Sequence, residues 1–198
     1  MPTDLRMIVA NLTSFYDFEE KLVVHVGAGG GQLLGYAPLT RRVLAVDHDP
    51  VAVRRLERRI AEQALDGRVV VVAGDFLGVE LDGGVVLLEF CLHEMQEPRE
   101  AIAHARAIAR DVVVIDHLPE SPWSFYANEA AQMARAWEAV AAAGTRRRET
   151  YEARQRFDTY DQLRERLSGQ GEECWRRIDA FRDQAPIEIP MPYGIALL

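Results

Sequence analysis

Short apolar runs alternate with amphipathic stretches over the first half of the chain. The runs are rich in β-branched and aliphatic residues and cover residues 21–26, 43–46, 68–73, 84–89 and 111–115. Apolar runs of this length are typical of strands buried on both faces of a parallel sheet. Because parallel strands need crossover connections, we predict a parallel sheet with helices on both faces.

The segments between these runs carry helix signals. An opening helix is predicted within residues 1–18, because apolar residues recur there at helical spacing. Asp49 followed by Pro50 predicts the start of a second helix, with the aspartate as N-cap and the proline at the first helical position. Pro98 marks the start of a third helix in the same way.

The alternation stops after Asp116. Residues 119–157 are interpreted as a helical insertion, because Tyr126, Met133 and Trp137 share one helical face. Since the insertion begins at the carboxyl end of the fifth strand, we expect it to form a cap over the strand ends with a substrate pocket beneath it. The alternative is a second small core that is packed away from the cleft and acts as a dimer surface.

The last part of the chain predicts one more helix and two closing strands. The helix is expected over residues 158–167, and the strands over residues 174–181 and 187–197. Prolines in the last segment favour an edge or a bulge. The expected fold is a seven-stranded, mostly parallel sheet in which the last strand is antiparallel and lies beside the fifth, all within a single domain spanning residues 1–198.

Composition narrows the functional classes. Apolar residues make up 48% of the chain, which is enough for a sizeable core, yet no apolar run is long enough to cross a bilayer. The formal net charge of −8 argues against broad contact with nucleic-acid phosphates. Two cysteines are too few for a disulfide framework. We expect a cytoplasmic monomer or homodimer that contacts neither a membrane nor nucleic acid.

A glycine-rich turn joins the first strand to a predicted helix. Gly27, Gly29 and Gly31 form a GxGxG pattern, and Asp47 ends the second strand, where its carboxylate can accept hydrogen bonds from ribose hydroxyls. The longer dinucleotide fingerprint, GxGxxG, fails because Gln32 occupies its third glycine position. The pattern indicates a nucleotide-type ligand and counts against a nicotinamide dinucleotide.

These motifs resemble the class I S-adenosylmethionine-dependent methyltransferases over about residues 20–198. Further similarities are Gly74-Asp75-Phe76 after the third strand, Leu92-His93 after the fourth, and Arg156-Phe157-Asp158 leading into a helix like the family's penultimate one. The resemblance implies a three-layer Rossmann-like sandwich that binds S-adenosylmethionine and releases S-adenosylhomocysteine. It implies that the cofactor is held by Gly27, Ala28, Gly29, Gly31, Asp47, His48, Asp75, Phe76, Glu89 and Phe90.

One position departs from the family. Two residues before the first loop glycine, where the family usually has an acidic residue that organises the loop and the ligand's amino group, this chain has His25. The departure leaves open a non-catalytic protein that binds the cofactor, beside the alternative of an NAD(P)-dependent oxidoreductase.

Candidate catalytic residues are His93, Asp116 and His117. All three lie at carboxyl ends of predicted central strands, where α/β sheets place ligands. Asp116 and His117 are a candidate carboxylate–imidazole pair for removing a proton from an acceptor, whereas His93 is favoured as a residue that packs under the following helix. No HxxH or HExxH pattern supports a metal site. The expected activity is methyl transfer to an O, N or C atom of a small-molecule acceptor.

Overall fold

The computed structural model describes residues 5–29 and 31–198 of the chain. Within these residues the strands are β1 Leu22–Val26, β2 Arg42–Asp47, β3 Val69–Ala73, β4 Val85–Glu89, β5 Asp111–His117, β6 Arg147–Tyr151, β7 Arg154–Phe157, β8 Ile187–Pro190 and β9 Tyr193–Leu197. The α-helices are α1 Leu5–Phe15, α2 Pro50–Glu62, α3 Pro98–Ile108, α4 Pro122–Tyr126, α5 Ala130–Ala142, α6 Tyr160–Arg166 and α7 Gly171–Ile178.

Seven of these strands form one sheet in the order β3-β2-β1-β4-β5-β9-β6. Parallel pairing connects β3 through to β5. β9 runs antiparallel to both of its neighbours, β5 and β6. The predicted seven-stranded, mostly parallel sheet with an antiparallel last strand beside the fifth is therefore confirmed.

The main sheet buries both of its faces, and successive strand residues serve opposite layers. Val23 packs with α1 and α2 on one face, whereas its neighbour Val24 packs with α3 and α5 on the other. This alternation follows from the two-residue period of a β-strand. The two helical layers and the sheet between them make up the predicted three-layer sandwich.

The predicted starts of α2 at Pro50 and of α3 at Pro98 are confirmed. Asp49 is the N-cap of α2, and its side-chain oxygen accepts the N–H of Val51 at 2.8 Å. The glycine turn, in contrast, does not lead into an α-helix as predicted, but into a 3-10 helix at Leu34–Leu39 that contains Pro38. Proline and tight winding prevent a regular α-helix at this place.

The predicted strand at residues 174–181 is wrong, because this segment is helical. Residues Gly171–Ile178 form α7, followed by a 3-10 turn at Asp179–Phe181. Cys174 and Ile178, four residues apart, are its buried positions, and Glu173 pairs with Arg177 on the other side. Both four-residue spacings match the period of an α-helix. This period, rather than the two-residue alternation of apolar residues, determines the structure of the segment.

The segment 119–157 differs from the predicted helical insertion. Its main helix, α5, packs against α3 in a layer of the sandwich. Residues after α5 form two strands rather than a helix. β6 is an edge strand of the main sheet, and β7 pairs with β8. α6 is the penultimate α-helix, as the sequence suggested, but α7 follows it before the strands β8 and β9.

A third hydrophobic core lies outside the two layers of the sandwich. It is formed by residues from 118–129 and from 152–192, which together we call the cap. Its buried members are Trp123, Ala127, Phe157, Leu163, Leu167, Cys174, Ile178, Ile187, Ile189 and Met191. The cap therefore comes from two separate stretches of chain rather than from one insertion.

Both stretches of the cap start from the carboxyl edge of the sheet. Residue 118 follows β5, and the excursion 152–192 leaves from the end of β6 and returns at the start of β9. Tyr151 and Tyr193 are register partners at this junction, and their rings stack with centroids 5.5 Å apart. The excursion thus begins and ends at two residues that touch each other.

No helix in the described ranges is long and apolar enough to span a membrane.

The cap core predicts a large cost for removing its tryptophan. Trp123 is 2% exposed and stacks on Phe157 at 6.1 Å. Trp123→Ala should lower the free energy of unfolding by about 3–5 kcal/mol, because a large cavity remains. Urea unfolding measures this, with Phe125→Ala as control, since Phe125 is 51% exposed on the same helix. A loss below about 1 kcal/mol for Trp123→Ala would contradict a packed core.

Candidate functional site

The turn after β1 has to begin with glycine. Gly27 has a φ of +72°, a left-handed conformation that side chains disfavour. A Cβ at this position would lie 2.5 Å from Cβ of Cys91 and 2.8 Å from the backbone oxygen of Glu89. The turn is consequently pressed against the carboxyl end of the neighbouring strand β4.

Asp47 fastens this turn to the end of β2. One oxygen of its carboxylate accepts the backbone N–H of Gly29 at 2.8 Å, and the other accepts the N–H of Asp49 at 2.9 Å. Gly29 itself is open, since a Cβ there would meet only the backbone oxygen of Gly27 at 3.6 Å. A ligand can therefore approach the backbone of the turn closely.

The turn lies at the point where the strand order of the sheet reverses. β1 pairs with β2 on one side and with β4 on the other. In open α/β sheets, ligands bind outside the carboxyl ends of the strands at such a switch point. The turn, Asp47 and Glu89 lie at the carboxyl ends of β1, β2 and β4, where this rule predicts such a crevice.

A buried polar triad lies beside the crevice. Nε2 of His25 is 2.5 Å from an oxygen of Glu89, and the hydroxyl of Tyr36 is 3.0 Å from Nδ1 of the same ring. Burial raises the pKa of Tyr36 well above its usual value, so its hydroxyl keeps the proton and can donate to Nδ1. Nε2 is then the donor to Glu89.

The other residues expected to bind the cofactor are spread along the same edge of the sheet. Asp75 is exposed, and its carboxylate accepts the N–H of Leu77 at 3.2 Å. Phe76 is buried against His104, with ring centroids 4.8 Å apart. Three more residues from this group are Ala28, which is buried, His48, which is exposed, and Gly31, which is buried. Their contact with a cofactor stays a prediction.

His93 and Asp116 form a buried pair across the ends of β4 and β5. Nδ1 of His93 is 2.7 Å from Oδ1 of Asp116, and the backbone N–H of His93 donates to Oδ2 at 3.1 Å. The backbone N–H of His117 donates to Oδ1 at 2.8 Å. Three donors therefore hold this carboxylate.

His117 does not pair with Asp116 through its ring, in contrast to the pair expected from the sequence. Consecutive residues of β5 point to opposite faces of the sheet, so their side chains diverge. The ring of His117 instead stacks on Phe90 with centroids 4.6 Å apart, and lies 5.7 Å from the ring of His93. Its buried Nδ1 has no hydrogen-bond partner among the described residues.

Phe90 holds this stacking position with an unusual backbone. Its φ is +44°, in the left-handed region that residues other than glycine seldom adopt. Such a conformation costs on the order of 1–3 kcal/mol and often occurs at ligand sites. This residue lies directly after β4, at the carboxyl edge of the sheet.

The pKa values of His93 and His117 are shifted in opposite directions. Burial alone would lower the pKa of His93, but the hydrogen bond and the charge of Asp116 raise it to about 9. Burial lowers the pKa of His117 to about 3. At neutral pH the site therefore presents one cationic imidazole and one neutral imidazole.

The site also includes residues that the sequence analysis did not single out. Glu129, next to α5, is close enough to His93 to act on its pKa, and burial raises the pKa of Glu129 itself. Gln170 from the cap donates to Glu129 at 2.6 Å. Arg166 at the end of α6 contributes to the low pKa of His117. No local motif marks these residues, since folding alone brings the cap to the strand ends.

No group of three or more histidine, cysteine, aspartate or glutamate side chains in the described part of the chain is arranged to hold a metal ion.

The histidines predict a stability maximum near pH 6.5. The pKa of His93 is raised on folding from 6.5 to about 9, so its stabilisation is complete below pH 6.5 and is lost as the pH rises through 9. The pKa of His117 is lowered from 6.5 to about 3, so the free energy of unfolding also falls as the pH drops from 6.5 towards 3.

Urea unfolding between pH 5 and 10 measures this dependence. His93→Gln should remove the decline between about pH 6.5 and 9, whereas His48→Gln, at an exposed histidine, should keep it. An unchanged alkaline decline in the His93 variant would contradict the assignment.

The chain is similar to known proteins in part of its sequence and in its fold. No protein-family model matches the sequence. A curated relative, the "Probable ribosomal RNA small subunit methyltransferase A" of Methanospirillum hungatei, is 37% identical over 81 residues, which are 40% of this chain and 31% of the relative. The match thus spans about a third of that protein's length.

Solved structures match nearly the whole chain. The YcgJ protein of Bacillus subtilis superposes with a TM-score of 0.70 at 14% identity, covering 96% of each chain. Magnesium protoporphyrin IX methyltransferase of Synechocystis PCC 6803, solved with bound S-adenosylhomocysteine, gives a TM-score of 0.60 at 12% identity, covering 97% of this chain and 80% of its own. The chain has the fold of the class I S-adenosylmethionine-dependent methyltransferases.

Proposed function

We propose that the protein is an S-adenosylmethionine-dependent methyltransferase that acts on a small molecule. The observation that carries the proposal is the glycine turn at the switch point of a methyltransferase fold, where Gly29 leaves open space and its N–H donates to Asp47. Backbone N–H groups and a carboxylate at the carboxyl ends of adjacent strands are the groups that recognise a nucleoside-type ligand.

The residues at the crevice fit this cofactor. The open backbone at Gly29 allows close approach, and Asp47 supplies a carboxylate for ribose hydroxyls. Asp75 and Phe76, at the end of β3, are the residues for the adenine, and His48 follows Asp47 at the same edge. S-adenosylmethionine, when bound, supplies a methyl group already activated by its sulfonium.

A nicotinamide dinucleotide fits the turn less well. Its pyrophosphate needs the N-terminus of an α-helix directly after the glycine turn. Here the turn leads into the 3-10 helix Leu34–Leu39, which has no side-chain cap. This geometry, together with Gln32 at the third glycine position, favours the methyl donor over an oxidoreductase cofactor.

The acceptor is proposed to bind between the strand ends and the cap. His93, Asp116 and His117 lie there, close to Phe90 and Glu129. The cationic His93 donates hydrogen bonds, and the neutral His117 offers a lone pair, so together they can orient a polar acceptor. Neither histidine has a pKa near 7, so positioning contributes more to the rate here than proton removal.

Ribosomal RNA is the second candidate acceptor, because the curated relative is named as a ribosomal RNA methyltransferase. The net charge of −8 disfavours extensive phosphate contacts. The two histidines are 5% and 8% exposed, which suits a small acceptor enclosed by the cap. These observations favour a small molecule.

Calorimetry tests the cofactor. S-adenosylhomocysteine should bind and NAD should not. Asp47→Ala should weaken binding of S-adenosylhomocysteine by about 1–3 kcal/mol, the usual loss for hydrogen bonds to a charged group. Asp66→Ala is the matched control, because Asp66 is an exposed aspartate in the loop before β3. Unchanged affinity in the Asp47 variant, or preferential binding of NAD, would contradict the proposed site.

Filter binding with ribosomal RNA tests the class of acceptor. We expect no retention of RNA at about 150 mM salt, because an acidic protein gains little from releasing counterions. Methyl transfer from labelled S-adenosylmethionine should instead label a low-molecular-mass fraction of a cell extract. Transfer of label to RNA with none to small molecules would make RNA the substrate.

A further inference from the structure

The carboxylate of Glu89 is incompletely satisfied within the protein. The residue is 6% exposed, and one carboxylate oxygen, Oε2, is bonded to His25. Its other oxygen, Oε1, accepts no hydrogen bond from any residue in the ranges 5–29 and 31–198. Within the same ranges, no lysine or arginine side chain forms an ion pair with Glu89.

The oxygen Oε1 is not among the fully buried side-chain atoms that lack a partner in the described ranges, so solvent or a ligand can reach it. A ligand that displaces solvent there has to supply hydrogen bonds or an opposite charge to offset the lost hydration of the carboxylate. The hydroxyl of Tyr36 can donate to Nδ1 of His25, and Nε2 of the same ring then donates to Oε2 of Glu89. A cation that donates hydrogen bonds would therefore complete the site.

The position of Glu89 shows where such a cation would come from. Glu89 is the last residue of β4, next to β1 at the switch point. Its backbone oxygen lies against Gly27, the first glycine of the turn. The carboxylate thus borders the crevice proposed for the methyl donor.

We propose that Glu89 binds the ammonium of the cofactor's amino-acid part, so that the acid missing at position 25 is supplied from the neighbouring strand. His25 and Glu89 point to the same face of the sheet, because His25 pairs in register with Leu87, two residues before Glu89. The exchange moves the negative charge by one strand while keeping it beside the turn. This inference rests on the proposed function.

The ammonium, rather than the sulfonium, is the matching group. A carboxylate oxygen with a free lone pair accepts hydrogen bonds, and an ammonium has three N–H donors, whereas a sulfonium has none. The distinction is useful in practice, because S-adenosylhomocysteine carries the ammonium but no sulfonium. Methylthioadenosine carries neither, while keeping the same nucleoside.

Calorimetry with both ligands on Glu89→Gln tests the proposal. The variant keeps the size of the side chain and its bond to His25 but loses the charge. Its affinity for S-adenosylhomocysteine should fall about 10- to 100-fold, as expected for a lost charge-assisted hydrogen bond, while its affinity for methylthioadenosine stays within about twofold. Glu100→Gln, at an exposed glutamate of α3, should change neither affinity.

Every outcome of this calorimetric comparison either supports the proposal or overturns it. A loss confined to S-adenosylhomocysteine supports the proposal, whereas no loss, or equal loss for both ligands, overturns it. If Glu89→Gln lacks a cooperative thermal transition, Glu89→Asp is judged by the same comparison, since it keeps the charge but draws it back by one methylene. If the unmodified protein binds neither ligand, the proposed function fails and this inference fails with it. Normal binding by the unmodified protein, with no selective loss in the variant, overturns the inference alone.

Discussion

The position of β9 between β5 and β6 is the constraint on which the rest of the site depends. Because β9 runs antiparallel to both neighbours, the connection from β6 to β9 has to begin and end at the carboxyl edge of the sheet. The chain after β5 starts from this same edge. Two distant stretches therefore meet above the strand ends and bury a common core. The pairing of one strand thus brings Arg166 and Gln170 close to His117 and Glu129.

The sandwich could be predicted from the sequence because its signals are local. Four of the five apolar runs end beside a glycine or an aspartate, the run 84–89 ends at Glu89, and the lengths of all five match buried strands. The mostly parallel sheet with helices on both faces follows from such runs, whereas the methyltransferase fold is implied by the glycine and acidic motifs that resemble that family. The strand predicted for residues 174–181 is wrong because two-residue alternation and helical spacing of apolar residues are hard to tell apart in so short a segment. Packing of Cys174 and Ile178 into the core of the cap selects the helix.

The polar pairs of the site were out of reach of sequence reasoning. His25 and Glu89 are 64 residues apart, and His93 and Asp116 are 23 apart. Each pair joins two strand ends that become neighbours only in the folded sheet. Asp116 and His117 looked like a pair because they are adjacent in the chain, but the pleat of β5 separates their side chains. Adjacency in sequence is thus a poor guide to contact within a strand, whereas adjacency of strand ends is a good one.

The stacked pair Tyr151 and Tyr193 has a consequence for how such a protein can diversify. The two ends of the excursion 152–192 are clamped together by the sheet, so the intervening chain contributes nothing to the alignment of β6 and β9. Closure of a loop whose ends are already fixed in contact depends only weakly on its length. Evolution can therefore replace, lengthen or reshape this segment without disturbing β1 to β4, where the nucleoside is proposed to bind. Under the proposed function, acceptor choice and donor binding would be inherited as separate traits of one chain.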